Sequence, residues 1–173
     1  ANGNLTRETN AANQTTHYHY NALDQRTRVT YADTSTQNTQ QDALGRHTRK
    51  TDQQNNSIHY SYDPAGRLKR VTDALNQQTH YSYDAAGNQL SQTDAEGRTT
   101  QWEYDALGRT TLRRLPLGQE ESYQYDPVGN LIQHTDFNGD ITTKTYDVMN
   151  RVTRIDYQKD GTSEAFTYYP NDQ

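Results

Sequence analysis

The sequence predicts an all-β fold: an antiparallel meander of stacked 21-residue β-hairpins forming a curved sheet. Three observations predict it. Tyr or a stand-in recurs every 21 residues, with no insertion or deletion, at Tyr20, Gln41, Tyr62, Tyr83, Tyr104, Tyr125 and Tyr146. In the inner copies each recurrence opens a four-residue turn signature, Asp-x-x-Gly, and in most units a second turn of Asp-x-x-Gly/Asn form follows ten residues after the first Asp. The segments between turns are rich in Thr, Tyr, Val and Arg, which suits strands rather than helices. A fixed period of this length marks a repeat array, not a globule built around one core.

Composition agrees. Leu, Ile, Val and Phe supply only 22 of 173 residues, below the fraction at which a chain begins to look disordered, yet there are 14 Tyr where disordered chains are poor in aromatics. Thr, Gln and Asn together contribute 56 residues. The absence of Cys excludes disulfides, thiolate zinc sites and Cys nucleophiles. Net charge is −5 and neither sign forms a block, which excludes the basic stripe of a nucleic-acid partner. There is no apolar run long enough for a membrane span, and no N-terminal segment of secretory type. The opening Ala1-Asn2-Gly3-Asn4 reads as a cut within a longer chain.

Taken in order, the chain divides into a partial repeat over 1–19, repeats starting at 20, 41, 62, 83, 104, 125 and 146, and a degenerate end over 167–173. Residues 1–173 are therefore expected to be one array. The residue after each Tyr is Asn21, Asp42, Asp63, Asp84, Asp105, Asp126 or Asp147. Three positions further on stands Gly45, Gly66, Gly87, Gly108 or Gly129, replaced by Asp24 and Asn150 in the outer copies. Asp at the first turn position accepts a bond from the N–H two residues on, and Gly or Asn at the fourth tolerates positive φ. The second turns are Asp52–Asn55, Asp73–Asn76, Asp94–Gly97, Leu115–Gly118 and Asp136–Gly139. A type I turn followed by a left-handed residue is a standard hairpin connection, so each unit reads as one hairpin and the whole as about 16 strands. At ~4.8 Å per strand an open sheet of that width curls. At the end of the chain the register calls for a Tyr at position 167, but that residue is Thr167 and the aromatic is displaced to Tyr168-Tyr169.

In the second strand of a unit the aromatics are two apart: Tyr18/Tyr20, Tyr60/Tyr62, Tyr81/Tyr83, Trp102/Tyr104 and Tyr123/Tyr125. Period two puts both on one face. Successive pairs stand two strands, or about 10 Å, apart, with Leu68, Val71, Leu131, Val152 or Ile155 between them. The first strand of a unit does not alternate cleanly, so its Tyr-face residues stay unassigned. A lone hairpin of this kind is unstable, and stability belongs to the array.

The phrases Tyr62-Asp63-Pro64-Ala65-Gly66-Arg67-Leu68, Tyr83-Asp84-Ala85-Ala86-Gly87-Asn88 and Tyr104-Asp105-Ala106-Leu107-Gly108-Arg109 resemble the YD repeat of Rhs proteins, and the resemblance covers essentially the whole chain. It implies a β-strip wound into a hollow shell, as in bacterial Rhs effectors, Tc toxin complexes and the barrels of teneurins. It implies a non-enzymatic role without cofactor: a shell segment that encloses a toxin or effector domain together with the remaining repeats. It further implies a larger bacterial protein that is secreted or carried on the cell surface. Its structural residues would be Tyr62, Asp63, Gly66, Tyr83, Asp84, Gly87, Tyr104, Asp105, Gly108, Tyr125, Asp126, Gly129, Tyr146 and Asp147. Asp126-Pro127-Val128-Gly129 is similar in part to the family's self-cleavage motif but occupies an ordinary repeat turn.

Other constellations read as structural. Each turn offers one or two carboxylates, too few for a calcium loop. His17, His59 and His80 share a column about 10 Å apart, too far for a metal ladder; with His19, His47 and His134 they read as strand residues. Arg7, Arg28, Arg49, Arg70 and Arg154 form a solvated column. The competing function is a surface module in which Tyr60, Tyr81, Trp102 and Tyr123, with Arg49 and Arg70, engage a glycan or receptor. No catalytic motif is present. The outermost strands are expected to pair edge to edge in the isolated chain.

Overall fold

The computed structural model describes residues 3–169; expectations that fall on Ala1, Asn2 and residues 170–173 lie outside it. The described residues form sixteen strands and no helix, and every strand is hydrogen-bonded to its neighbours in chain order. The pairings are antiparallel, so the expected meander of hairpins is the observed topology. Among the described residues no helix is long and apolar enough to cross a membrane.

The chain divides into two compact units, 1–81 and 82–173. The first contains β1 (Arg7–Thr9), β2 (Thr15–Tyr20), β3 (Arg26–Thr30), β4 (Thr36–Gln41), β5 (His47–Thr51), β6 (Ser57–Tyr62), β7 (Leu68–Thr72) and the start of β8 (Gln78–Tyr83). The second holds the end of β8, then β9 (Gln89–Thr93), β10 (Thr99–Tyr104), β11 (Thr110–Arg114), β12 (Glu120–Tyr125), β13 (Leu131–Thr135), β14 (Ile141–Tyr146), β15 (Val152–Tyr157) and β16 (Thr162–Ala165).

Register explains why the first strand of each unit does not alternate. Tyr60 faces Val71, Ser61 faces Arg70 and Tyr62 faces Leu68, so Ser61 and Tyr62 on β6 are spanned by Arg70, Lys69 and Leu68 on β7, and the ladder shifts between Ser61 and Tyr62. The same shift recurs at Gln124/Tyr125, where Tyr125 faces Leu131, and at Thr145/Tyr146, where Tyr146 faces Val152. These are β-bulges, which place one unpaired residue on the bulged strand. Leu68, Val71, Leu131 and Val152 thereby reach the Tyr face, and Ile155 lies opposite Lys144.

The turns up to Asp147–Asn150 close in the same way, whereas in the last, at 158–161, Asp160 Oδ1 accepts the Thr162 N–H at 2.9 Å. In the Asp63 turn, the Gly66 N–H donates to the Asp63 carbonyl at 2.9 Å and the Asp63 N–H to the Arg67 carbonyl at 2.9 Å, with Gly66 at φ +84°. A type I turn closed by a left-handed residue accounts for the bulge beside it. The sequence signature missed Asn10–Asn13, where Asn stands for Asp, and Tyr31–Thr34. In the latter Asp has moved to the third position, and Thr34 is held at φ +70°, a costly conformation for a β-branched residue. The described residues build no central core. Among the described residues Val29, 6% exposed, is the only buried apolar side chain, and no polar residue is buried.

Candidate functional site

The residues that define the repeat meet at the corner where each Tyr-Asp turn begins. One Asp oxygen caps the turn from inside: Asp42 Oδ1 accepts the Leu44 N–H at 2.9 Å and the Arg46 N–H at 3.0 Å. Its other oxygen accepts from the side chain of that fifth residue, with Arg46 Nε 2.7 Å from Asp42 Oδ2. Arg109 at Asp105 and Arg151 at Asp147 repeat the arrangement at 2.6 and 2.8 Å. Asn serves equally: Asn88 Nδ2 is 2.8 Å from Asp84 Oδ2, and Asn130 Nδ2 is 2.9 Å from Asp126 Oδ2. The Asp126-Pro127-Val128-Gly129 segment thus makes the bonds of its neighbours and is an ordinary corner.

The fifth-position side chain also reaches the next repeat. The Arg46 guanidinium lies 4.4 Å from the centre of the Tyr62 ring and Arg109 4.5 Å from that of Tyr125, a cation–π geometry. Arg109 Nη1 further donates to the Asp126 carbonyl at 3.2 Å. Where the turn Gly is replaced, the partner is Asn: Asn4 Nδ2 bonds Asp24 Oδ1 at 2.7 Å and Asn130 Nδ2 bonds Asn150 Oδ1 at 2.9 Å. The outer-copy substitutions are therefore accommodated by their neighbours. Sequence reasoning missed this column of Asn4, Gln25, Arg46, Arg67, Asn88, Arg109, Asn130 and Arg151. Its signal is a 21-residue period of amide and guanidinium side chains.

Tyrosine provides a second link. Tyr62 donates its hydroxyl to the His47 carbonyl at 2.8 Å, Tyr104 to Gln89 at 2.9 Å and Tyr146 to Leu131 at 2.8 Å. Each acceptor lies two residues beyond the last paired residue of the neighbouring ladder, as His47 does beyond Arg49↔His59. The phenol therefore satisfies a carbonyl where the strands diverge. Tyr168 does the same for the Val152 carbonyl at 2.7 Å and carries Arg151 at 4.3 Å from its ring centre. It fills the displaced position, and the one-residue offset matches the six-residue length of β15 against five in β13.

The electrostatics follow from these bonds. The carboxyls of Asp42, Asp63, Asp84, Asp105, Asp126 and Asp147 are held below their ordinary value of 3.8, at Asp42 chiefly by the Arg46 side chain and at Asp147 chiefly by the Arg151 N–H. Partial burial pushes Asp105 and Asp126 upward, and their hydrogen bonds outweigh it. Burial raises the phenols of Tyr62, Tyr104 and Tyr146. Tyr123 is pushed up to about 12, by burial first and then by its bond to Glu121.

The residues considered for a glycan or receptor are divided between faces. Tyr60, Tyr81, Trp102 and Tyr123 are half-buried on the Tyr face, and Tyr123 stacks on His134 at 4.9 Å. Arg70 pairs with Ser61, next to the Tyr60↔Val71 pair, and Arg49 pairs with His59, so both arginines point to the reverse face. Arg49 there donates to Ser57 Oγ at 2.9 Å. His134 is occupied by Glu121 at 2.9 Å, and no group of three or more His, Cys, Asp or Glu able to hold a metal occurs among the described residues.

Comparison with known proteins matches these features. A family model described as RHS Repeat fits residues 1–36, 42–74, 62–99, 83–120, 104–141 and 125–163. Among solved structures, a Photorhabdus luminescens Tc holotoxin pore is similar at 20% identity over 82% of this chain, with a TM-score of 0.64. A TcdB2–TccC3–Cdc42 structure is similar at 20% identity over 86% of this chain, with a TM-score of 0.60. A TcdB2–TccC3 structure without its hypervariable C-terminal region is similar at 18% identity over 86%, with a TM-score of 0.58. The chain spans 9% of the length of each. None of the curated proteins matches it in sequence.

Substitutions at the turn glycines should differ with what surrounds them. A Cβ on Gly66 would stand 3.1 Å from Arg46 Nη1, whereas one on Gly139 meets nothing within 4 Å. Both positions have φ +84°, which Asn tolerates. Gly139→Asn is expected to stay within about 0.5 kcal/mol of the parent in chemical denaturation, and Gly66→Asn to cost about 1 kcal/mol more. A second prediction concerns acid. Depressed carboxyl pKa values contribute stability that is present above the unfolded value and lost as pH falls through the folded ones. Thermal denaturation followed against pH should therefore show a plateau above the Asp value of 3.8 and a falling melting temperature below it.

Proposed function

Because the chain belongs to the RHS repeat family, we propose that it is a non-enzymatic wall segment of a β-strip shell that encloses and sequesters a toxin or effector domain. The observation that carries this reading is the corner: contacts such as Arg46–Tyr62, Arg109–Tyr125 and Arg151–Tyr168 tie hairpin to hairpin within each compact unit, so the structure grows by addition instead of closing on a core. Such an array is suited to a wall. Its corner carboxylates are paired, and it can separate an enclosed domain from solvent without chemistry of its own. Similarity in fold to segments of Tc toxin complexes supports the same role, within a larger bacterial protein that is secreted or carried at the cell surface. The rest of the wall would come from further repeats, which would pair with exposed outer strands such as β1 and β16.

The test is protease protection of the cargo domain when co-expressed with the parent shell protein. Intact shell is expected to leave the cargo resistant, and deletion of the repeats spanning residues 62–146 to make it sensitive. Cargo that stays equally protected after the deletion would contradict the proposal. Glycan binding by the intact chain that is lost in Trp102→Ala and Tyr104→Ala with the fold preserved would favour a surface-binding module instead.

A further inference from the structure

One repeat lacks its rings. In five copies the second strand carries an aromatic two residues before the Tyr, but β4 has Thr39 and Gln41 at these positions. Thr39 pairs with Lys50 and Gln41 with His47, so both places lie on the Tyr face. At this point the face opens into a cleft of about 460 Å³, bordered by Tyr20, Arg26, Val29, Gln41, His47 and Lys50. Gln41 Oε1 and His47 Nδ1 are buried there without a hydrogen-bond partner, an unmet demand that folded proteins rarely tolerate.

We propose that this cleft binds a small phenolic carboxylate, whose ring occupies the space left by the missing Tyr. Each part of the ligand answers a feature of the cleft. The ring replaces an aromatic side chain and packs beside Tyr20 and Val29, the one buried aliphatic side chain among the described residues. The hydroxyl has two acceptors. One is Gln41 Oε1, and the other is the Arg26 carbonyl, which occupies the place that the His47 carbonyl holds for Tyr62 and the Leu5 carbonyl for Tyr20. The carboxylate is drawn by Arg26 and Lys50, which outnumber the one acid of the lining, Asp24. An oxygen of Asp24 already accepts from Asn4. Neutral phenols satisfy the ring and hydroxyl but not the cations, so the anion should provide selectivity.

The probe is para-hydroxyphenylacetate, titrated into the whole chain by calorimetry. Saturable binding at one site is expected. Gln41→Tyr supplies the ring and should weaken binding at least about tenfold while leaving the circular dichroism unchanged and the melting temperature no lower. Lys50→Gln should weaken the acid but not para-cresol, which lacks the carboxylate and should bind at least about tenfold less tightly than the acid. Absence of saturable binding, binding unchanged in Gln41→Tyr, or para-cresol binding as tightly as the acid would each overturn the proposal.

Discussion

At each Tyr-Asp corner one carboxylate accepts hydrogen bonds from two backbone N–H groups and from the side chain of the fifth residue, and the rest of the array depends on this arrangement. The first two bonds fix the turn, and the turn fixes the bulge that follows it. The bulge brings Leu68, Val71, Leu131 and Val152 to the face that carries the tyrosines. The third bond aims Arg46, Arg109 or Arg151 at the ring of the next repeat. Local turn chemistry and contact between repeats are thus set by the same oxygen pair. Aspartate suits this position because an amide has only one acceptor oxygen. At Asn21 the third bond is accordingly reversed, with Asn21 Nδ2 donating to Gln25 Oε1 at 2.7 Å.

The scarcity of aliphatic residues follows from the architecture. A one-layer sheet has no interior to fill, and its apolar contacts are the half-buried rings and the aliphatics opposite them. Large side chains at the third turn position stay in solvent: Leu44 is 78% exposed and Leu107 72%. They add nothing to a core and mark the tips of one edge. What replaces a core is repetition, in which a hairpin shares its ladders with its neighbours and, at corners such as Arg46–Tyr62 and Arg151–Tyr168, a Tyr hydroxyl bond and a stacked guanidinium as well. An Arg over a Tyr face contributes about 0.5–1 kcal/mol at exposed sites, which is small for one repeat but recurs along the chain.

Much of the fold is legible in the sequence because turn chemistry is local. Asp at position one and Gly or Asn at position four are short-range requirements, and the 21-residue register displays them repeatedly. The Tyr31–Thr34 turn escapes notice because its Asp stands at position three, where Asp33 instead caps the Ser35 N–H at 3.0 Å. The bulge is invisible to a period-two reading, since an extra residue breaks the alternation that such a reading needs. The Arg and Asn column is present in the sequence, but its role requires knowing that strands two apart bring residues some 20 positions away together. Likewise Tyr168, and not Tyr169, is identified only by where its hydroxyl lands.

Departures from the repeat consequently carry information. Asp24 and Asn150 stand where Gly is the rule, and each is met by an Asn from the preceding corner. Gln41 has no such compensation, and its orphaned amide oxygen records the missing ring. The claim that one carboxylate couples successive hairpins is tested most directly by hydrogen exchange of Asp105→Ala against the parent. The account predicts faster exchange both in the turn at 105–109 and in the next corner at 126–130, where Arg109 bonds the Asp126 carbonyl, with the turn at 136–139 unchanged. Faster exchange confined to 105–109 would contradict it.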